Sequence, residues 1–251
     1  MDSGPANDPT RAERAPDDPS TPERAPDDPT RAERAPNDPI PVEHAPEDRA
    51  APGEDYNPGP ATSPRRAATV ILMRGGADAM EVLLVRRTPE AKFMGGVWVF
   101  PGGAVDVADG DGEDAVRAAA IRELREEAGI ALESPDELVA FSRWITPAEV
   151  KIRFDTHFFL AALPLDQEPR IDGEECVDLG WFTPQAALDA HATGDIVLVF
   201  PTIAHLQRLL PFASVEELIA HARGLEVEPV LPRVIVEGDS ARVLMPGDPG
   251  Y

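Results

Sequence analysis

One stretch, Ala115–Ile130 (AVRAAAIRELREEAGI), constrains the fold more than any other part of the sequence. On a helix that turns about 100° per residue, Glu123, Glu126 and Glu127 lie within one arc of the surface. The apolar side chains gather on another face, at Ile121, Leu124 and Ala128. The stretch therefore predicts a helix that packs through one face and presents carboxylates on the other.

The three carboxylates need something to offset their mutual repulsion. Like charges at i, i+3 and i+4 each cost an isolated helix a few tenths of a kcal/mol. Arg122 can pair with Glu123 or, one turn on, with Glu126. A hard cation such as Mg²⁺ is usually held by a few carboxylates, waters and substrate phosphates. A solvated acidic face and a divalent-metal site are both compatible with the stretch alone.

The flanking residues favour the metal site. Phe100-Pro101-Gly102-Gly103 is a turn that cannot continue a strand, and Gly129 stands where a residue after a helix needs positive φ. This order of strand, glycine loop, carboxylate helix and glycine stop resembles the Nudix hydrolases. Their box reads G-x5-E-x7-R-E-U-x-E-E-x-G-U, with U apolar. Residues 122–130 match its second half at every fixed position.

The first half of the box departs from the family pattern. Counted forward from Gly103, the family's glutamate falls on Asp109, but counted back from Arg122 it falls on Asp114. The loop Asp106–Asp114 therefore carries extra residues. Acidic residues of this loop suit the N-cap or the positive first turn of the helix: Asp109, Asp111, Glu113 and Asp114.

The resemblance implies a fold and a set of metal ligands. It implies an α/β (α+β) fold, a Nudix-type α/β/α sandwich with a mixed central sheet and a C-terminal helical cover. It implies Mg²⁺ or Mn²⁺ held mainly by Glu126 and Glu127, with the Gly103 carbonyl assisting. Glu123, oriented by Arg122, is then a ligand or the general base.

A second acidic segment offers alternative bases. In the family, an acidic loop before the last strand often adds a glutamate to the metal shell or supplies the base. Glu174 and Glu175 occupy such a loop here, with a solvated loop as the alternative. The sequence does not decide which carboxylate acts as the base.

Substrate contacts are expected from side chains at strand ends. Trp98 either packs in the core or stacks on a base. Arg87, near the glycine loop, either stays solvated or binds a phosphate through its guanidinium group. Arg153 is a candidate phosphate clamp, and His157 is a weaker candidate base.

Other segments resemble the branch of the family that includes acyl-CoA diphosphatases. They are residues 86–103, the acidic insert, residues 153–161 and Pro201-Thr202. This resemblance implies cleavage of CoA or acyl-CoA into 3′,5′-ADP and an (acyl) phosphopantetheine. ADP-ribose, NADH or nucleotide-sugar hydrolysis is the alternative within the enzyme class, and a ligand-sensing module without turnover is the alternative outside it.

The N-terminal residues 1–64 differ from the rest of the chain. They hold 15 of the 28 prolines, and a ten-residue unit such as DPTRAERAPD recurs from Asp8. So few large apolar side chains cannot offset the entropy of ordering, which predicts a disordered tail leaning to polyproline II. The predicted domains are thus this tail, 1–64, and a hydrolase domain, 65–251.

Charge and cysteine content limit partners and compartment. The formal net charge of −23 argues against a nucleic-acid partner, because binding a phosphate backbone requires a basic surface. The single cysteine, Cys176, excludes an internal disulfide and is expected to be a small buried residue. Without a signal-like or membrane-spanning run, we expect a soluble cytoplasmic protein that binds a small nucleotide-diphosphate substrate, and a homodimer is compatible with the sequence.

The remaining patterns predict strands and a helical cover. The predicted strands are Ala67–Met73, Glu81–Arg87, Val97–Phe100, Glu137–Ile145, Thr156–Leu163 and Cys176–Phe182, with a closing hairpin of Leu231–Val236 and Ala241–Met245. The predicted cover helices begin after Thr183, at Pro201 and after Ser214.

Overall fold

The computed structural model describes Met1, Asn57 and residues 59–75, 79–91, 94–237 and 240–251. All of these except Met1 belong to one compact unit, Ala35–Tyr251. The predicted tail lies mostly outside the described residues, so its disorder and the boundary at residue 65 stay predictions. None of the helices in these ranges is long and apolar enough to cross a membrane.

The described residues form ten strands and four α-helices. The strands are β1 Arg65–Arg74, β2 Glu81–Arg87, β3 Trp98–Val99, β4 Gly102–Ala104, β5 Val139–Ile145, β6 Phe154–Ala162, β7 Cys176–Phe182, β8 Pro229–Val230, β9 Arg233–Glu237 and β10 Ser240–Leu244. The helices are α1 Gly112–Ala128, α2 Pro184–Thr193, α3 Phe200–Leu209 and α4 Val215–Ala222.

The central sheet is mixed, as expected. Its order is β3-β2-β1-β6-β5-β8, and in addition β4 pairs with β1 and β7 pairs with β2. Strand β1 runs parallel to β6 and antiparallel to β2 and β4. Strands β9 and β10 form a separate hairpin. Because β4 lies beside β1, the glycine turn is held at the middle of the sheet.

Helices cover both faces of this sheet. Strand β1 alternates its side chains between the two faces and is buried on both, as an interior strand should be. Val70 and Leu72 pack with Leu124 of α1, whereas Ile71 and Met73 pack with the cover helices α2 to α4. The α/β/α sandwich with a C-terminal helical cover is therefore confirmed.

The predicted ends of several elements are also confirmed. Gly129 follows α1 with φ 67° and donates its N–H to the Arg125 carbonyl at 3.0 Å. Thr183 caps α2 and Ser214 caps α4 through their side-chain oxygens. Helix α1 begins at Gly112, with Asp111 at the predicted N-cap position but without a side-chain capping bond.

Candidate active site

The glycine turn brings the backbone against α1. Gly102 and Gly103 of β4 pair with Thr69 and Ala68 of β1. A Cβ atom on Gly103 would lie 2.4 Å from Oε1 of Glu123, closer than real contacts allow. Only glycine therefore lets the Glu123 carboxylate rest against this strand.

Glu127 is the most deeply buried carboxylate of the site. It is 2% exposed, and its Oε2 accepts the Gly102 N–H at 2.9 Å. Its Oε1 lies 3.6 Å from Nη1 of Arg87. Burial is the largest cause and raises the pKa of Glu127 to about 7; the Gly102 hydrogen bond and the charge of Arg87 oppose this rise, and the charges of Glu123 and Glu175 add to it. The helical projection placed this residue on the carboxylate face, apart from the apolar one, whereas the structure buries it.

Arg122 joins the other carboxylates of α1. Its Nη1 donates to Glu123 at 2.8 Å and to Glu126 at 2.9 Å, and its Nη2 donates to the Ala104 carbonyl at 3.0 Å. Glu126 is the exposed member, with 56% of its side chain accessible. Burial raises the pKa of Glu123, although the bond from Arg122 opposes that change.

Asp109 supplies the remaining contact of Arg122. Its two carboxylate oxygens accept from Nε and Nη2 of Arg122, both at 3.0 Å. The hydrogen bond from Arg122 holds the pKa of Asp109 below its usual value. Asp109 lies in a 3₁₀ turn, Val107–Asp109, so the expectation that it could cap the carboxylate helix is wrong. The count forward from Gly103 selected Asp109 and the count back from Arg122 selected Asp114. Asp109 is the one that pairs with Arg122.

Of the two glutamates in the loop before β7, Glu175 has a defined relation to the carboxylates. Its charge is near enough to raise the pKa of both Glu123 and Glu127. Its carbonyl accepts the N–H of Thr88, at the end of β2, at 2.8 Å. Glu174 is exposed in the same turn.

The arrangement of these side chains bears on the predicted metal site. Within the described ranges, no three His, Cys, Asp or Glu side chains are gathered closely enough to hold a metal ion. The physical reason is that Arg122 draws Glu123 and Glu126 to itself, while the Gly102 N–H holds Glu127. The donor chemistry still suits a hard divalent cation, because the buried Glu127 and the partly buried Glu123, both with raised pKa values, would gain from a nearby positive charge.

The three predicted substrate-binding residues do not lie together. Arg87 lies beside Glu127, and its buried Nε has no hydrogen-bond partner in the described part of the chain. Trp98 packs edge to face on Phe182 at 5.6 Å, within the apolar cluster on the α2 to α4 side. Arg153 donates to the carbonyls of Thr146 and Thr62. Arg87 is thus the candidate that shares the carboxylate face.

Two other predicted residues have mainly structural surroundings. His157 stacks on Phe159, and its Nε2 lies 4.0 Å from Oδ1 of Asp155. Burial lowers the pKa of His157. Cys176 is fully buried, as expected, at the start of β7.

Sequence reasoning missed two features. Asp172 organises the turn before β7, for which the Asp-Gly pair at 172–173 was an available signal. His205 is buried in the cover, where Nε2 lies 2.6 Å from Oγ of Ser142 and Nδ1 lies 2.6 Å from the Pro201 carbonyl. No local sequence pattern links residues so far apart in the chain.

Comparisons with known proteins agree with this geometry. The family model described as the NUDIX domain matches residues 63–199, which is more than half of the chain. A Caenorhabditis elegans protein predicted to be nudix hydrolase 7 is 31% identical over 187 aligned positions, covering 60% of this chain and 62% of that protein. The chain thus spans less than two thirds of the length of this relative.

Two further proteins extend the comparison. The Homo sapiens acyl-coenzyme A diphosphatase NUDT19 is 25% identical over 307 aligned positions, covering 77% of this chain and 82% of that protein. The crystal structure of a NUDIX hydrolase from Alicyclobacillus acidocaldarius superimposes with a TM-score of 0.57 at 28% identity. That match covers 63% of this chain and 96% of the crystallised one.

Proposed function

Because the chain belongs to the NUDIX domain family, we propose that it is a divalent-metal-dependent hydrolase that cleaves a diphosphate linkage in a nucleoside diphosphate derivative. The observation that carries this proposal is the carboxylate face of α1 closed against the glycine turn. There Glu127 is buried with a pKa raised to about 7, beside Glu123. Two neighbouring carboxylates, one buried and one partly buried, are costly for a fold unless a cation or substrate offsets their charge.

The chain's own residues divide into holding and orienting roles. Glu126, Glu127, Glu123 and the Gly103 carbonyl would hold Mg²⁺ or Mn²⁺. A bound divalent cation supplies neutralisation of phosphate oxygens and a lower pKa for a coordinated water. Arg122 keeps Glu123 and Glu126 oriented through hydrogen bonds of 2.8 and 2.9 Å.

Proton transfer and substrate orientation require further groups. A water oxygen attacks one phosphorus atom of the linkage, the bridging P–O bond breaks, and a carboxylate accepts the proton of the water. Glu123, Glu174 and Glu175 are the candidates for that base. Arg87, with its unpartnered Nε, would donate to a phosphate oxygen of the substrate.

We propose CoA or acyl-CoA as the substrate, with 3′,5′-ADP and an (acyl) phosphopantetheine as products. The support is the similarity over most of the chain to proteins named acyl-coenzyme A diphosphatase. A strongly acidic protein receives such a polyphosphate substrate more readily when a divalent cation offsets its charge.

The test is product release by the purified full chain with Mg²⁺, and separately with Mn²⁺, from CoA, acyl-CoA, ADP-ribose, NADH, a nucleotide sugar and nucleoside triphosphates. We expect the CoA compounds to give the highest kcat/KM, with 3′,5′-ADP identified by chromatography. A preference for another diphosphate would keep the hydrolase and reject CoA. No turnover by the folded protein would favour ligand sensing instead.

A matched pair of variants on α1 tests the site itself. Glu126→Gln removes a proposed ligand and should lower kcat by roughly 100-fold or more, since such a ligand contributes several kcal/mol. Glu113→Gln changes an exposed glutamate at the other end of the same helix and should stay within about twofold of wild type. Equal activity of both variants would reject the assignment.

A further inference from the structure

The acidic turn before β7 is built around the side chain of Asp172. Its Oδ2 accepts the N–H of Glu175 at 3.0 Å, and its Oδ1 accepts the N–H of Cys176 at 3.0 Å. Gly173, with φ 79°, donates its N–H to the Cys176 carbonyl at 3.1 Å. One carboxylate therefore fixes two successive peptide groups where the strand begins.

Strand β2 fixes the same turn from the other side. The N–H of Thr88 donates to the Glu175 carbonyl at 2.8 Å, and Arg87 is the strand partner of Cys176. Arg87 in turn lies 3.6 Å from Glu127. Glu175 thus directly precedes Cys176, whose strand partner Arg87 borders the carboxylate site. Its N–H is bound by Asp172 and its carbonyl by Thr88.

Asp172 is suited to this task by its two equivalent acceptors. Burial alone would raise its pKa, but the backbone N–H groups of Glu175, Cys176, Glu174 and Gly173 together more than offset that effect and lower it. The ionised form accepts at both oxygens, whereas an amide in its place offers one acceptor. The residue is exposed, so its replacement leaves no cavity in the core.

We propose that Asp172 is a positioning residue that holds Glu175 in place as the base of the hydrolytic reaction. In that reaction the oxygen of water bonds to phosphorus, the bridging P–O bond breaks, and Glu175 takes the proton. The inference rests on the proposed function and goes beyond it, because it selects Glu175 over Glu174 and gives a role to a residue outside the α1 face.

The experiment compares Asp172→Ala and Asp172→Asn with Asp178→Ala in the full chain. Asp178 is a matched control, since it is exposed on β7, the strand that this turn leads into, and accepts a backbone N–H, that of Leu179, at 2.9 Å. Asp172→Ala should lower kcat by about 10- to 100-fold with little change in KM, because a small displacement of a reacting group has that effect. Asp172→Asn should lose less, and Asp178→Ala should match wild type.

Two further measurements distinguish a positioning role of Asp172 from a general loss of structure. In a Glu175→Gln background, Asp172→Ala should cause no additional loss of kcat, because both changes remove the same group. Asp172→Ala should also speed amide hydrogen exchange at Glu175 and Cys176 while exchange in α1 stays as in wild type.

The outcomes distinguish the two proposals. Additive losses in the double variant, an equal loss in Asp178→Ala, or unchanged exchange at Glu175 would overturn the role of Asp172 alone. A folded wild-type protein that cleaves no diphosphate would overturn the proposed function, and the role with it.

Discussion

Glu127 and His205 are buried ionisable residues on opposite sides of the central sheet. Glu127 belongs to α1 and His205 to α3 of the cover. Burial raises the pKa of Glu127 to about 7 and lowers the pKa of His205 to about 3. Both shifts favour the neutral form, as expected for groups removed from water.

The partners of the two side chains differ. A carbonyl oxygen can only accept, so Nδ1 of His205 donates to the Pro201 carbonyl, and Nε2 accepts from the Ser142 hydroxyl. The ring also stacks on Phe158 with 4.0 Å between centroids. Neutral His205 therefore has a partner for each polar atom.

Glu127 has a less favourable environment. It accepts a hydrogen bond from Gly102 and lies 3.6 Å from Arg87, but burial and the negative charges of Glu123 and Glu175 disfavour its ionised form. The contrast shows that one face of the sheet contains a satisfied polar pair, which supports the fold. The other contains an electrostatically costly group, which is typical of a functional site.

The two shifts give opposite pH dependences. Because the folded pKa of Glu127 is raised, its contribution to stability is present below about pH 4.5 and is lost as the pH rises through about 7. Because the folded pKa of His205 is lowered, its contribution is present above about pH 6.5 and is lost as the pH falls toward 3.

The largest expected effect is that of Glu127→Gln. The variant keeps an oxygen for the Gly102 N–H but removes the charge, so kcat should fall by about 1000-fold. In EDTA at pH 8, the free energy of unfolding should rise by about 3 kcal/mol, because wild type must ionise a group whose pKa is raised from 4.5 to about 7. Denaturant titrations at pH 8 and pH 4 measure the gain, which should vanish at the lower pH.

The predicted gain in stability tests the contrast between Glu127 and His205. A Glu127→Gln protein that is less stable than wild type at pH 8 without metal would show that Glu127 supports the fold as His205 does. Glu113→Gln, on the same helix, is the control and should leave both activity and stability near wild type.

The second expected effect concerns His205. Between pH 6.5 and 4, wild type should lose up to about 1.4 kcal/mol of unfolding free energy per pH unit through this residue, since one proton binds on unfolding. Arg208, whose charge also disfavours the protonated ring, adds to this dependence. His205→Gln should show a shallower slope in denaturant titrations across that range, while kcat per folded molecule at pH 7.5 stays near wild type.

A histidine of the neighbouring cover helix provides the control. His221→Gln, on α4, should retain the wild-type slope because that side chain is only partly buried. If His205→Gln and wild type lose stability in parallel, the buried pair of His205 and Ser142 does not govern acid stability.

Local signals explain what the sequence predicted well. The bounds of β2 and β7 and the stop of α1 at Gly129 follow from apolar runs and turn residues close in sequence. The pairing of Ser142 with His205 could not be predicted, because the sheet and cover bring together residues with no common pattern. The helical projection placed Glu127 on the carboxylate face and did not indicate its burial, since neighbouring positions on an arc can fall on either side of a packing border.

The candidate site was predicted in part for a similar reason. The carboxylates of α1 match a fixed spacing, so their shared face was evident. Trp98 had two interpretations, and its strand register with Arg86 places it on the face opposite to Arg87. The role of Asp109 could not be predicted, because the spacing of the Nudix box does not show where in the loop Asp106–Asp114 the extra residues are inserted.

The smallest expected effect tests which of Asp109 and Asp114 orients Arg122. Asp109→Ala removes two of the hydrogen bonds that orient Arg122 and should lower kcat by about 10-fold, as loss of a ligand-orienting partner does. Asp114→Ala changes the other candidate, which lines a surface cavity with Arg117, and should remain within about twofold of wild type. Steady-state kinetics of both variants at saturating metal measure the difference. A larger loss for Asp114→Ala would mean that the count from Arg122 is correct and that Asp109 only anchors the loop, which would leave the orientation of Arg122 to Glu123 and Glu126.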